Sequence, residues 1–127
     1  MLTFEHSQYL VLENQMIAGE NLKAGNLCNL KSDNKLWKAS NAGEATAIGL
    51  LAMAIVDIKK NVVGPFLIIG KILLAELTIG AIYYIGTEGG ITTTAPTISG
   101  KIVRVVGYAL NDRVFYFKPS ETWLEIL

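Results

Sequence analysis

Side chains that carry enzyme and metal chemistry are almost missing from this sequence. Its 127 residues include one cysteine, Cys28, and one histidine, His6. A single cysteine excludes an intramolecular disulfide and a metal site built from several thiolates. A single histidine, next to Glu5, provides neither a catalytic triad nor a two-histidine metal site. The chain also has no glycine-rich phosphate loop and no His-Glu-x-x-His motif. We therefore expect no enzymatic activity, no cofactor and no metal.

Charged residues are also scarce. They make up 17% of the chain at a formal net charge of zero, whereas hydrophobic residues make up 51%. About a quarter charged is typical of soluble domains. No basic run is longer than Lys59-Lys60, so the chain lacks the electrostatic footprint of a nucleic-acid-binding protein. A small protein with so few charges must expose contiguous apolar surface, which predicts self-association or docking on a larger assembly.

A signal peptide and a membrane span are not expected. The N-terminus lacks a basic region followed by an apolar one, which predicts synthesis and assembly in the cytoplasm. The apolar stretch from Val62 to Ile85 is long enough to cross a bilayer, but Lys71 and Glu76 near its centre disfavour a transmembrane helix. Glycines interrupt the stretch at strand-like intervals. We predict consecutive strands separated by glycine turns instead, and these are Pro65 to Ile69, Ile72 to Leu77 and Ala81 to Ile85.

Two stretches of the chain repeat one design. Each has a strand, a tight turn, a short strand, a loop of Ser, Thr and Gly, and then a strand with a central glycine. The first repeat runs from Ala18 to Ala54 and the second from Ala81 to Leu110. The repeat predicts an all-β protein, a small barrel or sandwich in which residues 1–127 form one domain with two similar strand-hairpin-strand halves.

One segment of the first repeat is ambiguous. Its alanine content favours a short helix between Gly43 and Ala54. Gly49 and the match to the strand Val105 to Ala109 favour a strand instead. We predict a strand from Ala47 to Ile55.

The C-terminal part, residues 104–127, reads as a hairpin and a final strand. A two-residue turn at Asn111-Asp112 would pair Tyr108 with Phe115 and would place Gly107 beneath the Tyr116 ring. Both faces of this hairpin are apolar, so we expect both to be covered, one by a second sheet and one by a partner. The alternating segment from Glu121 to Leu127 predicts a paired terminal strand.

The polar and aromatic residues have structural interpretations. Asp33, Asp57, Glu88 and Asp112 lie at predicted turns or strand ends, where such side chains bond the local backbone. Neither Asp33-Asn34 nor Glu88-Gly89-Gly90 has the alternating oxygens of a calcium loop. Aromatic residues within strands could stack on sugars, but packing in the core or at an interface is favoured; these residues are Trp37, Tyr83, Tyr84, Tyr108 and Trp123.

Several segments resemble those of tailed-phage virion proteins. Ala18 to Leu27, Lys35 to Ala39 and Ala47-Ile48-Gly49 are similar to the core pattern of capsid decoration, or cement, proteins. Tyr83 to Ile85 and Val105 to Ala109 are similar to segments of phage head-fibre proteins, as are the sequences Gly89-Gly90-Ile91-Thr92-Thr93 and Ala95-Pro96-Thr97.

This resemblance implies a β-tulip-like protein, often a homotrimer, that binds the outer surface of an assembled capsid and stabilises it. The implied partners are a second copy and the major capsid protein, and the implied location is the virion. The chain departs from the lambda-type decoration protein because Met1 to Leu12 reads as a strand rather than as a flexible Thr- and Ala-rich arm.

Large aromatic residues are the candidates for the trimer or capsid interface, namely Tyr83, Tyr84, Tyr108, Phe115, Phe117 and Trp123. A receptor-binding or tail-fibre module is the alternative function. It would use the loops Asp33 to Thr46 and Thr87 to Gly100 to recognise a glycan or protein on a host surface.

Overall fold

Residues 12–127 are described by the structure, a computed structural model, and they form eleven strands and one helical turn. The strands are β1 (Leu12–Ala18), β2 (Leu27–Leu30), β3 (Lys35–Lys38), β4 (Leu51–Ala54), β5 (Val63–Leu73), β6 (Ile82–Ile85), β7 (Ile91–Thr92), β8 (Ile102–Val103), β9 (Val105–Ala109), β10 (Val114–Phe117) and β11 (Leu124–Glu125). The helical turn α1 spans Glu44–Ala47. The prediction of an all-β fold is confirmed.

The two halves of the chain have the same strand pairing. In the first half β2 pairs with β3 on one edge and with β4 on the other, and β4 pairs with β5. In the second half β6 pairs with β7 and β9 in the same way, and β9 pairs with β10. The antiparallel pair of β5 and β10 joins the halves. The repeat in the sequence therefore corresponds to a repeated topology.

The halves differ in closure. Strand β1 pairs in parallel with β3 and antiparallel with β5, which closes a ring of five strands in the order β1-β3-β2-β4-β5. The second half stays open and ends at β7. One apolar cluster fills the ring, and a larger one lies between the ring and the second half.

Strand β4 separates these two clusters, and all four of its residues are buried. Leu51 and Met53 face the larger cluster, whereas Ala52 and Ala54 face the inside of the ring. Small residues alternate with large ones because a five-stranded ring leaves little room inside. Strand β4 is apolar throughout because both of its faces are covered.

Strand β5 corrects the prediction for the apolar stretch. Its eleven residues run through Gly70, and Ile72 to Leu77 is not a separate strand. Gly70 has φ of 136°, a conformation that glycine adopts readily and other residues rarely. It stands where β5 exchanges its partners β1 and β4 for β10. The glycine therefore lies within one continuous strand rather than at the end of a strand. In the described part of the chain no helix is long and apolar enough to span a membrane.

The ambiguous segment contains both kinds of structure. Residues Glu44–Ala47 form one helical turn and the strand begins only at Leu51, so a strand from Ala47 was wrong. Gly49, with φ of 80°, lies in the link between the turn and the strand.

The last hairpin differs from its predicted register by one residue. Phe115 pairs with Ala109 and Tyr116 with Tyr108, because the loop contains three residues and Leu110 N–H bonds the Val114 carbonyl at 2.8 Å. The Asn111 side chain accepts bonds from the N–H groups of residues 113 and 114 and so holds the longer loop. A shift of one residue reverses faces. The ring over Gly107 is therefore that of Phe115 and not Tyr116.

The end of the chain is paired as predicted. Leu124 lies opposite Val103 and Glu125 opposite Ile102. The predicted strand Met1 to Leu12 lies outside the described residues except for Leu12, which begins β1.

Candidate interaction surface

In the part of the chain that the structure describes, the reactive residues singled out in the sequence are not assembled into a site. Cys28 is buried in the ring, and burial, assisted by the charge of Glu20, raises its thiol pKa to about 12. A thiol that stays protonated at neutral pH is a poor nucleophile. Within residues 12–127 no three His, Cys, Asp or Glu side chains are grouped to hold a metal ion. His6 lies outside the described residues.

Three of the six predicted interface residues belong to the core. Phe115 and Phe117 are fully buried, and Tyr83 is 6% exposed. The Tyr83 and Phe115 rings meet edge to face with centroids 5.4 Å apart, and the Tyr83 hydroxyl accepts a bond from the Thr78 N–H at 2.9 Å. Their own chain covers them, so the prediction that these three contact a partner is corrected.

The other three predicted residues reach the surface. Tyr108 and Trp123 are 39% and 38% exposed, and Tyr84 is half-buried. Trp123 borders a pocket of about 290 Å³ whose wall includes Val103 and Val105.

Tyr108 lies in a continuous apolar surface on the outside of four neighbouring strands. Ile82 lies opposite Tyr108, and Tyr108 opposite Tyr116. In the next row Val114 lies between Leu110 and Leu73. Paired residues project from the same face of a sheet. We call this surface the tyrosine face and define it by Leu73, Ile82, Tyr108, Leu110, Val114 and Tyr116.

The composition of the tyrosine face suits protein contact. Leu73 is 76% exposed and Leu110 is 47% exposed, although burial of such side chains is favourable by about 1.5–3 kcal/mol each. Lys71, opposite Tyr116, places a charge at one margin. Beyond Leu73, a pocket of about 620 Å³ is lined in part by Glu76, Asp112 and Arg113. An apolar and aromatic centre with charges at its margins is the usual anatomy of a protein interface.

Sequence reasoning missed five members of this face as interface candidates, namely Leu73, Ile82, Leu110, Val114 and Tyr116. The signal was available in the alternation of β10, where Phe115 and Phe117 occupy one face and Val114 and Tyr116 the other. With the register displaced by one residue, Tyr108 fell on the wrong face and its true neighbours were not apparent.

The two loops of the alternative function lie side by side. The turn after β6 reaches the end of the hairpin β2–β3, where Gly89 donates to the Ala39 carbonyl and accepts from the Leu27 N–H, both at 2.8 Å. Asn41 in the other loop donates to the Gly86 carbonyl from its backbone and to the Ile85 carbonyl from its side chain. The two loops are therefore in direct contact where Ala39 meets Gly89.

Glu88, next to Gly89 in this turn, adopts a conformation that side chains rarely take. It is exposed, with φ of 49°, and it precedes Gly89 with φ of 82°. We expect Glu88→Gly to raise the free energy of unfolding by about 0.5–1 kcal/mol because glycine relieves the left-handed strain. Urea denaturation measures the change. Thr87→Gly, also on the exposed part of this turn, is the control and should not stabilise; equal stabilisation by both variants would contradict the strain argument.

Trp37 is half-buried against its own chain. Its ring packs on Gly19, its Nε1 donates to the Asp33 carboxylate at 3.0 Å, and the Lys31 ammonium lies 5.5 Å from the ring centroid. These contacts favour a packing role over sugar stacking.

No protein-family model and no curated protein matches this sequence.

Proposed function

We propose that the protein is a non-enzymatic virion structural protein of a tailed phage, which binds the outer surface of the assembled capsid through the tyrosine face and stabilises the shell. The exposure of this face is the observation that carries the proposal. The segments that resemble decoration and head-fibre proteins supply the partner, the major capsid protein.

The proposed mechanism is mechanical. Added contacts across the boundary between neighbouring capsid subunits raise the work needed to separate them. Burying about 800 Å² of apolar surface per copy is worth up to ~20 kcal/mol at about 25 cal/mol per Å² before the losses of association are subtracted. Because a shell has many equivalent sites, a small net binding free energy at each site stabilises the whole particle.

Self-association belongs to the same proposal. A homotrimer brings three tyrosine faces to one capsid position, and linked contacts bind far more tightly than single ones. Light scattering over a dilution series measures the mass in solution. A mass of three chains would support the homotrimer. A mass of one chain at all concentrations would contradict it.

The capsid contact is tested by matched substitutions. We expect Ile82→Asp and Tyr108→Asp to lower affinity by about 10- to 100-fold, because each puts a charge into a desolvated apolar centre. Val62→Asp is the control, since Val62 is 49% exposed, close to the 45% of Ile82, but lies outside the face. Co-sedimentation with capsids of the major capsid protein encoded in the same genome measures the binding.

Two results would overturn the capsid proposal. One is wild-type protein that stays in the supernatant at micromolar concentration. The other is a Val62→Asp variant that loses as much binding as Ile82→Asp, which would show that any added charge, rather than this face, decides the outcome.

A receptor-binding module is the second candidate, and the contact between the two loops favours it. In that case Glu88→Gly, which should stabilise the fold, would reduce binding to host cells, because Glu88 is exposed next to the contact between the two loops. Host-cell binding and co-sedimentation with capsids are both measured for Glu88→Gly. A loss of host-cell binding with normal co-sedimentation would separate the two functions.

A further inference from the structure

A second surface feature shares no residue with the tyrosine face and lies where the link between α1 and β4 approaches Ile68 and Ile69 of β5. Arg104, between β8 and β9, is only 7% exposed. It lines a pocket of about 320 Å³. The wall of the pocket is largely aliphatic and is formed by Leu50, Leu51, Ile68, Ile69 and Pro119, with Gly49 and Glu121 also in the lining.

Arg104 is held in a fixed position by backbone groups. Its Nη1 donates to the carbonyls of Ala47 and Gly49 at 3.0 and 2.9 Å, and its Nε donates to the Ser120 carbonyl at 2.8 Å. Carbonyl oxygens carry only partial charge, so these bonds orient the guanidinium without supplying a full negative charge. Nη2 carries the two N–H groups that these three bonds do not use.

A buried cation among aliphatic side chains favours one class of ligand. A guanidinium binds carboxylates well because its planar donors match their geometry. The aliphatic wall favours a hydrocarbon chain attached to that carboxylate, since the chain gains by leaving water. The volume lies at the lower end of the range for small-molecule pockets.

We propose that this pocket binds a short-chain aliphatic carboxylate, with the carboxylate on Arg104 and the chain against Leu50, Ile68 and Ile69. Glu121, one of the lining residues, opposes this binding because its negative charge repels a second carboxylate. The site is independent of the capsid contact.

The first experiment compares two ligands of equal chain length, one with a charged head group and one with a neutral head group. Hexanoate is titrated into the full chain, and the ¹³C methyl shifts of Leu51, Ile68 and Ile69 are followed; hexanol is the neutral match. We expect hexanoate to bind about tenfold more tightly than hexanol, which is the typical gain from a charge-assisted hydrogen bond. Equal affinities, or methyl groups that do not shift with hexanoate, would overturn the proposal.

Three variants localise the site without changing Arg104. Leu50→Glu places a carboxylate on the wall and should abolish hexanoate binding. Val56→Glu is its control, because Val56 is 46% exposed against 40% for Leu50 and is not among the lining residues. Glu121→Gln removes the repelling charge and should tighten binding about two- to fivefold, the range of exposed charge pairs.

Each variant has an outcome that contradicts the proposal. Unchanged hexanoate binding in Leu50→Glu would show that hexanoate does not bind in this pocket. A loss of binding in Val56→Glu as large as that in Leu50→Glu would show the same. Weaker binding in Glu121→Gln would mean that Glu121 helps to hold the ligand and that its chemistry is not that of a carboxylate. If Leu50→Glu disturbs the circular dichroism spectrum, the Glu121→Gln comparison still decides.

Discussion

Gly107→Ala is expected to lower the free energy of unfolding by about 3 kcal/mol, because β9 has no room for one more methyl group. A Cβ at this position would overlap the Tyr116 carbonyl oxygen and lie 2.6 Å from Phe115 Cζ. The carbonyl belongs to the paired strand β10 and cannot rotate away. Phe115 packs against Tyr83, so its ring is not free to retreat either. For a chain of this length the loss corresponds to a fall of about 10 °C in Tm.

Gly43→Ala is the matched control for this substitution. A Cβ on Gly43 meets no atom within 4 Å, and its backbone, with φ of 177° and ψ of 178°, is extended and open to any residue. The control should change the free energy of unfolding by less than about 0.5 kcal/mol. Both values come from chemical denaturation. A Gly107→Ala variant as stable as its control would mean that β9 and β10 are not packed as described.

Arg104→Met is expected to cost about 3 kcal/mol. Methionine retains part of the side-chain volume but leaves three backbone carbonyls without their donor, those of Ala47, Gly49 and Ser120. An unsatisfied buried polar group costs about 1–3 kcal/mol. Part of that cost is offset because the buried charge also disappears. Burial lowers the pKa of the Arg104 guanidinium from its ordinary value, which is a sign of this desolvation.

The loss of Arg104 should also release the segment that follows β10. Its bond to Ser120 ties this segment to the end of α1, so we expect faster proteolysis near residues 119–123 and a red shift in Trp123 fluorescence. Arg113→Met, in the exposed hairpin loop, is the control and should show neither effect. If Arg104→Met changed stability and proteolysis no more than this control, the three bonds would be incidental to the fold.

The sequence predicted the repeated order of strands and turns because two independent stretches carried it. Turn residues between short apolar strands marked the hairpins β2–β3 and β6–β7, and the second copy confirmed the first. Closure of the ring was not predicted, because the parallel pairing of β1 and β3 joins only Ile17 with Lys35 and Ala18 with Leu36. So short a contact leaves no periodic signal.

The candidate surface was predicted only in part, and one loop explains why. Asn111-Asp112 suits a two-residue turn and a three-residue loop alike, and the choice between them depends on bonds from the Asn111 side chain. The longer loop sends Phe115 and Phe117 inward and leaves Tyr108 and Tyr116 outside. The sequence identified Tyr108, Phe115 and Phe117 as interface candidates, but the shift of one residue decides which aromatic residues of this hairpin can meet a partner.

The length of β5 has a consequence for how the protein unfolds. Its first seven residues complete the ring and its last four pair with β10. A single strand therefore forms part of the sheet in both halves. If either half unfolds, the other half loses hydrogen bonds to β5. The two repeats therefore cannot unfold as separate units. A chain that reads as a tandem duplication is expected to denature in one cooperative step, with the amides at the middle of β5 among the last to exchange with solvent.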